Sequence, residues 1–285
     1  MRGHNSALAL SALPDLERHC QEIRTTILET CIKAGTGHVT SSMSCVEVLV
    51  ALYRGGVMRY DPGNPQWNGR DRFVLSKGQA SPALYVTLAD AGFFPKAELD
   101  RFAQAEGIFG VHLQHSVPGV ETTAGSLGMG FGLAAGMALA ALKDRKNHLV
   151  FALLGDGELY EGSIWETAMF AAHHRLNNLV TIIDRNFLCT TDWTENLMRL
   201  EPLADKWRSF GFEVATIDGN DIGQVMAALK YVRSRRSARP LAILAETTKG
   251  AGIDSMADEP IWHGAAPTGA MIDTARTDLA RSFKR

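Results

Sequence analysis

Residues 148–188 read HLVFALLGDGELYEGSIWETAMFAAHHRLNNLVTIIDRNFL, two apolar runs around a helical segment, each run ending in a polar cluster. The first ends in Gly155-Asp156-Gly157 and the second in Asp184-Arg185-Asn186. Such a strand–helix–strand unit is expected to form parallel neighbours, whose ends share the sheet edge where open α/β folds place ligands. Asp156 and Asn186 should therefore meet in space, although 30 residues separate them in sequence.

Their chemistry suggests what such a pair holds. Aspartate supplies a hard anionic oxygen and asparagine a neutral amide oxygen, while the flanking glycines let phosphate oxygens approach the backbone. That set suits Mg2+ or Ca2+ held against a diphosphate. Gly-Asp-Gly alone also serves as an ordinary strand-to-helix turn, and Asn186 alone could be there for its tolerance of left-handed backbone. Both residues at successive strand ends favour the metal.

Outward from this stretch the alternation continues. Apolar residues Leu16, Ile23, Ile27, Leu28, Cys31 and Ile32 fall at helical spacing, Gly35-Thr36-Gly37-His38 closes that helix, and a second helix is expected from Ser44. Strands are expected near 73, 151, 180, 215 and 244, most of them followed by a helix. The fold class is α/β, a parallel sheet of five or more strands with helices on both faces. Residues 1–285 are expected to form a single domain, with 1–12 as a flexible tail.

With 285 residues, 46% of them hydrophobic, the chain can bury a large core. A net charge of −2 gives no electrostatic reason to expect nucleic acid or an anionic membrane as partner, and no run reaches the ~20 apolar residues of a membrane helix. Cys20, Cys31, Cys45 and Cys189 form no CxxC pair and suggest reduced thiols in a cytoplasmic protein. His112 and His115 lie in a turn-rich stretch without a third ligand, a poor zinc motif. Gly130-x-Gly132-x-x-Ala135 lacks the preceding strand of a dinucleotide fingerprint, and its small residues instead suit close helix packing. Glu158 and Glu161 are both accounted for by the positive end of a following helix.

GDGELYEGSIWETA followed by LNNLVTIIDRN resembles the thiamine diphosphate motif of the transketolase family. KAGTGHVTSSMS, FVLSKGQASPALY, PGVETTAGSLGMGFGLAAGMALA and WHGAAP are similar to further blocks of that family in the same order, so the resemblance covers roughly residues 20–270. It implies a diphosphate-binding module with Mg2+ (or Ca2+) on Asp156, Asn186 and the carbonyl of Leu188. It also implies cofactor contacts from Gln79, Gly125, Leu127, Gly157, Glu161, Asn186 and His263, and catalytic roles toward a sugar for His38, His112 and His263. The family usually has histidine where Gln79 stands, and glutamine cannot relay protons near neutral pH. Cys189-Thr190-Thr191-Asp192-Trp193 also departs from the family's usual turn, and Trp193 suits either packing or a role in shaping the pocket.

The family's activating glutamate stands on a pyrimidine-binding domain, for which this sequence shows no blocks. The resemblance therefore implies a C-terminal transketolase-like partner subunit supplying that glutamate in an α2β2 assembly, acting on sugar phosphates. The expected activity is transfer of a two-carbon ketol unit from a ketose to an aldose. The alternatives are a 2-oxoacid carboligase or dehydrogenase subunit, like deoxyxylulose phosphate synthase or pyruvate dehydrogenase, and a non-catalytic cofactor-binding scaffold.

Overall fold

The first helix of the chain is amphipathic, and its stripe explains where it lies. In the computed structural model, which describes residues 13–283, α1 (Leu13–Ala34) buries Leu16, Cys20, Ile23, Ile27, Leu28 and Cys31. The tail expected at 1–12 lies outside the described residues. Two short helices follow, α2 (Val39–Met43) and α3 (Val46–Tyr53), so helical structure resumes earlier than Ser44 and is broken at Ser44-Cys45. Then come β1 (Arg72–Leu75), α4 (Ser81–Asp90), α5 (Met129–Lys143), β2 (Val150–Gly155), α6 (Gly162–His173), β3 (Leu179–Arg185) and the short α7 (Thr194–Leu197). The described chain ends with α8 (Leu203–Ser209), β4 (Glu213–Asp218), α9 (Ile222–Ser234), β5 (Leu241–Glu246) and α10 (Ala270–Ser282).

The α/β class read from the sequence is the observed one. All strand pairs are parallel, in the order β1-β2-β3-β5-β4. Period-two alternation sends neighbouring side chains into two cores. Phe73, Leu75, Phe151, Leu153, Val180 and Ile182 face α1, α3, α4 and α9, while Val74, Val150, Ala152, Leu154 and Ile183 face α5, α6 and α8. Both faces are therefore apolar, which is why the strands read as unbroken hydrophobic runs. No helix among the described residues is long and apolar enough to cross a membrane.

Several boundaries differ from the sequence reading. Residues 78–80, 96–101 and 157–160 are tight 3-10 turns, and α4 begins only at Ser81, after the first of them. α5 begins only after Gly128, whose φ of +83° would strain any residue with a Cβ. α10 escaped the pattern because its buried side is only Ala275, Asp278 and Leu279, too thin a stripe to register.

At the sheet edge away from the strand ends, Asp71 sits before β1 with 1% of its surface exposed. Its carboxylate accepts from the backbone N–H of Arg59 at 2.7 Å and of Leu149 at 2.8 Å, and from the guanidinium groups of Arg59 and Arg233. One side chain thus ties the 59–71 loop, the start of β2 and α9 together. Replacing Asp71 by alanine leaves two buried N–H donors unsatisfied, at about 1–3 kcal/mol each. Urea unfolding of D71A should show a loss of about 3 kcal/mol or more, with Asp71→Asn recovering part of it.

Candidate functional site

The register sets the site. β2 and β3 pair so that Gly155 lies opposite Asp184, which leaves Asp156 and Asn186 as the next turns beyond two adjacent strand ends. Asp156 Oδ2 accepts from the N–H of Phe187 at 2.6 Å and from Arg185 at 3.2 Å, and Oδ1 accepts from the N–H of Gly157 at 2.8 Å. Asn186 donates to Asp184 at 3.3 Å and its Oδ1 accepts from the N–H of Leu188 at 3.2 Å. The two residues are held to one another through this short stretch of backbone.

Beneath them lies a buried ion pair. Asp184 accepts from Lys77 Nζ, from Ser44 Oγ at 2.7 Å and from Thr247 Oγ1. Burial raises the proton affinity of Asp184, but Lys77 and these hydroxyls outweigh it and hold the carboxyl below its usual range. Lys77 also donates to the carbonyl of Ser41 at 3.0 Å. The chain after β1 is fixed from the other side by Glu158. This carboxylate, 1% exposed, accepts from Ser76 Oγ, from Gly128 N–H at 2.8 Å and from Gly155 N–H at 3.1 Å. The helix-dipole account of Glu158 is therefore corrected: a buried acceptor gathers three loop donors, a role that needs long-range proximity and leaves no local signal.

Above the strand ends opens a cavity of about 170 Å³. Asp156, Gly157, Asn186 and Leu188 line it together with Gln79, Gly125, Leu127, His38, His112 and His263, and Gly125 lies against the His112 ring. A Cβ built on Gly78 would lie 3.0 Å from the carbonyl carbon of Ala124, so the loop bearing Gly125 rests directly on the Lys77-Gly78-Gln79 turn. The His38 ring stands edge-on to His112 at 5.6 Å and to His263 at 5.7 Å. These imidazoles come from the α1–α2 turn, the 110s loop and the 263 turn, 225 residues apart from first to last (263 − 38). Glu161 alone among the sequence candidates is not in the cavity. It is exposed at the N-terminus of α6. His115 stays on the surface with Thr123. Trp193 does not line the cavity: it is 42% exposed and closes the 189–192 turn through a bridge to Leu188.

Sequence reasoning missed Lys249, Lys77 and Ser41, which also line the cavity. Lys249 Nζ lies 2.8 Å from His263 Nδ1 and 3.4 Å from the carbonyls of Leu188 and Cys189. It has no carboxylate within ion-pair distance among the described residues, and burial together with Lys77 lowers its pKa to about 8. Nothing near Lys249 in sequence marks it, since only folding carries it to the strand ends.

The donor set fits a divalent cation shared with a diphosphate. No three His, Cys, Asp or Glu side chains converge on a metal site among the described residues. One carboxylate, one amide oxygen and one backbone carbonyl are hard oxygen donors that leave coordination positions for phosphate oxygens. Burial and the neighbouring Asp184 push the Asp156 carboxyl up to about 6, the mark of an anion short of positive charge. Lys249, a buried cation with no carboxylate within ion-pair distance among the described residues, adds positive charge beside negative oxygens.

Comparison with known proteins agrees with this geometry. The family model described as "Transketolase, thiamine diphosphate binding domain" matches residues 16–283. The chain is 40% identical over 268 residues to the 6-deoxy-6-sulfo-D-fructose transketolase subunit SqwG of Clostridium sp. (strain MSTE9), covering 94% of this chain and 97% of that one. It is 36% identical over 270 residues to an apulose-4-phosphate transketolase subunit of Phocaeicola vulgatus, covering 95% of each. The crystal structure of transketolase from Campylobacter jejuni superposes with a TM-score of 0.86 at 29% identity, over 93% of this chain and 42% of that one.

Burial, with nearby positive charge, lowers the pKa of His38 to about 4 and of His263 to about 3, against an ordinary 6.5. Both are neutral in the native state at physiological pH. As pH falls below 6.5 the unfolded chain takes up protons that the native chain refuses, so stability is full above that value and declines toward about pH 4. Thermal unfolding scans should show a falling midpoint across this window, and His38→Gln or His263→Gln should flatten the slope.

Proposed function

The chain belongs to the transketolase family and carries its thiamine diphosphate binding domain, and from that premise we propose that it is the cofactor-holding subunit of a two-chain transketolase. In this reading residues 1–285 act as one diphosphate-binding domain, and a second, C-terminal-type subunit supplies the activating glutamate in an α2β2 assembly in the cytoplasm. The relatives that match it almost end to end are named as subunits, which supports a partner chain. The observation that carries the proposal is the cavity itself, lined both by oxygen donors from two strand ends and by three imidazoles, with His38 edge-on to the other two.

Bound thiamine diphosphate supplies a carbon nucleophile and an electron sink for the two-carbon unit cut from a ketose. The protein's part is to hold, orient and move protons. Asp156, Asn186 and the Leu188 carbonyl would hold Mg2+, with Ca2+ able to replace it, and Gly157 would admit the diphosphate to the backbone. Lys249 offsets the remaining negative charge. Gly125 and Leu127 form the wall for the organic part of the cofactor, and Gln79 adds an amide to hydrogen-bond there without titrating. His38, His112 and His263 would bind the hydroxyl and carbonyl oxygens of the sugar phosphate and pass protons between them. Glu161, exposed at the start of α6, is placed in this reading against the partner. The names of its relatives favour ketol transfer over chemistry starting from a 2-oxoacid.

Calorimetric titration of the chain with thiamine diphosphate and Mg2+ should give saturable binding that EDTA removes. Asp156→Ala should weaken it by about tenfold or more, a loss of about 1.4 kcal/mol at least. The same chain should cleave ketose phosphates only after the partner subunit is added. Turnover by the purified chain alone, or binding indifferent to Asp156, would overturn the proposal.

A further inference from the structure

The cavity contains a contact that bears on what one of its imidazoles can do. Lys249 Nζ has three neighbours within hydrogen-bonding reach: His263 Nδ1 at 2.8 Å and the carbonyls of Leu188 and Cys189 at 3.4 Å each. An ammonium group has three donors and no acceptor. All three neighbours must then be acceptors, and the Nδ1 facing the lysine carries a lone pair. A neutral imidazole with a lone pair on Nδ1 has its proton on Nε2.

We propose that Lys249 is a positioning residue that locks His263 in the Nε2–H tautomer, so that the ring presents a hydrogen-bond donor to the cavity. The competing arrangement places the proton on Nδ1 and points it at the Cys189 carbonyl, a neighbour that also influences the ring. In that arrangement an imidazole N–H and an ammonium N–H would face each other across 2.8 Å, without an acceptor between them. The Lys249 side chain is not free to swing away, since the residue is 2% exposed.

The consequence for catalysis rests on the transketolase reading above. A donor at Nε2 suits the carbonyl or alkoxide oxygen of a ketose, and the ring nitrogen that could take a proton is already occupied by Lys249. His263 is then the oxygen-binding donor of the three imidazoles, and acceptance of a proton from substrate falls to His38 or His112.

The tautomer can be read without cofactor, substrate or partner, so its failure is separate from failure of the functional reading. Two-bond proton–nitrogen correlation spectra of the full chain, labelled in its histidine rings, distinguish Nε2–H, Nδ1–H and imidazolium patterns. The His263 signals are identified by their loss in His263→Gln. The wild-type chain should show a single Nε2–H pattern for His263. Lys249→Met should convert it to a mixture or to Nδ1–H, and Lys249→Arg, which restores a donor, should return it. An Nδ1–H or imidazolium pattern in the wild-type chain would overturn the proposal, as would an unchanged Nε2–H pattern in Lys249→Met. If Lys249→Met does not fold, the wild-type and Lys249→Arg spectra decide by the same criteria.

Discussion

The buried pair between Lys77 and Asp184 is the interaction on which the rest of the site depends. Both side chains are 1% exposed, so neither charge can be relieved by water, and removing either one would strand the other. Asp184 is the next-to-last residue of β3, Lys77 follows β1, Ser44 comes from the α2–α3 junction and Thr247 follows β5. One carboxylate therefore joins three strand ends and a helical turn. Asn186 leans on the same oxygen that receives Lys77. The Asn186 amide and the skeleton of the site are in this way a single hydrogen-bonded unit.

The charges are graded around that pair. Asp184 is held ionised by its lysine, whereas burial and the charge of Asp184 push the equally buried Asp156 up to about 6 against the opposing pull of Arg185, which also serves Glu195 and Glu201. Lys249 is the opposite case, a cation that burial and Lys77 lower to about 8 although Asp156 and Asp184 oppose the shift. An under-compensated carboxylate and an under-compensated ammonium in one cavity are what a cation–diphosphate complex would satisfy together. His38 and His263 remain neutral because burial and two lysines disfavour a third positive charge.

The α/β class, the parallel strands and the meeting of Asp156 with Asn186 were legible because they depend on local periodicity and on one rule of topology. The apolar runs show period two on both faces, and parallel strands must end at one edge. The resemblance to a family added His38, His112, His263, Gln79, Gly125 and Leu127, which no local pattern distinguishes from ordinary loop residues. Glu158 was misread, because its partners Ser76 and Gly128 lie 82 and 30 residues away. α10 was missed because Asp278 interrupts its apolar stripe while being buried.

The sequence by itself determined which segments are strands, which edge of the sheet carries chemistry, and which hard oxygen donors stand there. Those depend on residues close together in the chain. Only the tertiary structure decided the strand order with β5 between β3 and β4, the encounter of Lys249 with His263, and the pairing of Lys77 with Asp184 across 107 residues. Electrostatic partners are chosen by distance in space and by the exclusion of water, and neither quantity exists before the chain has folded.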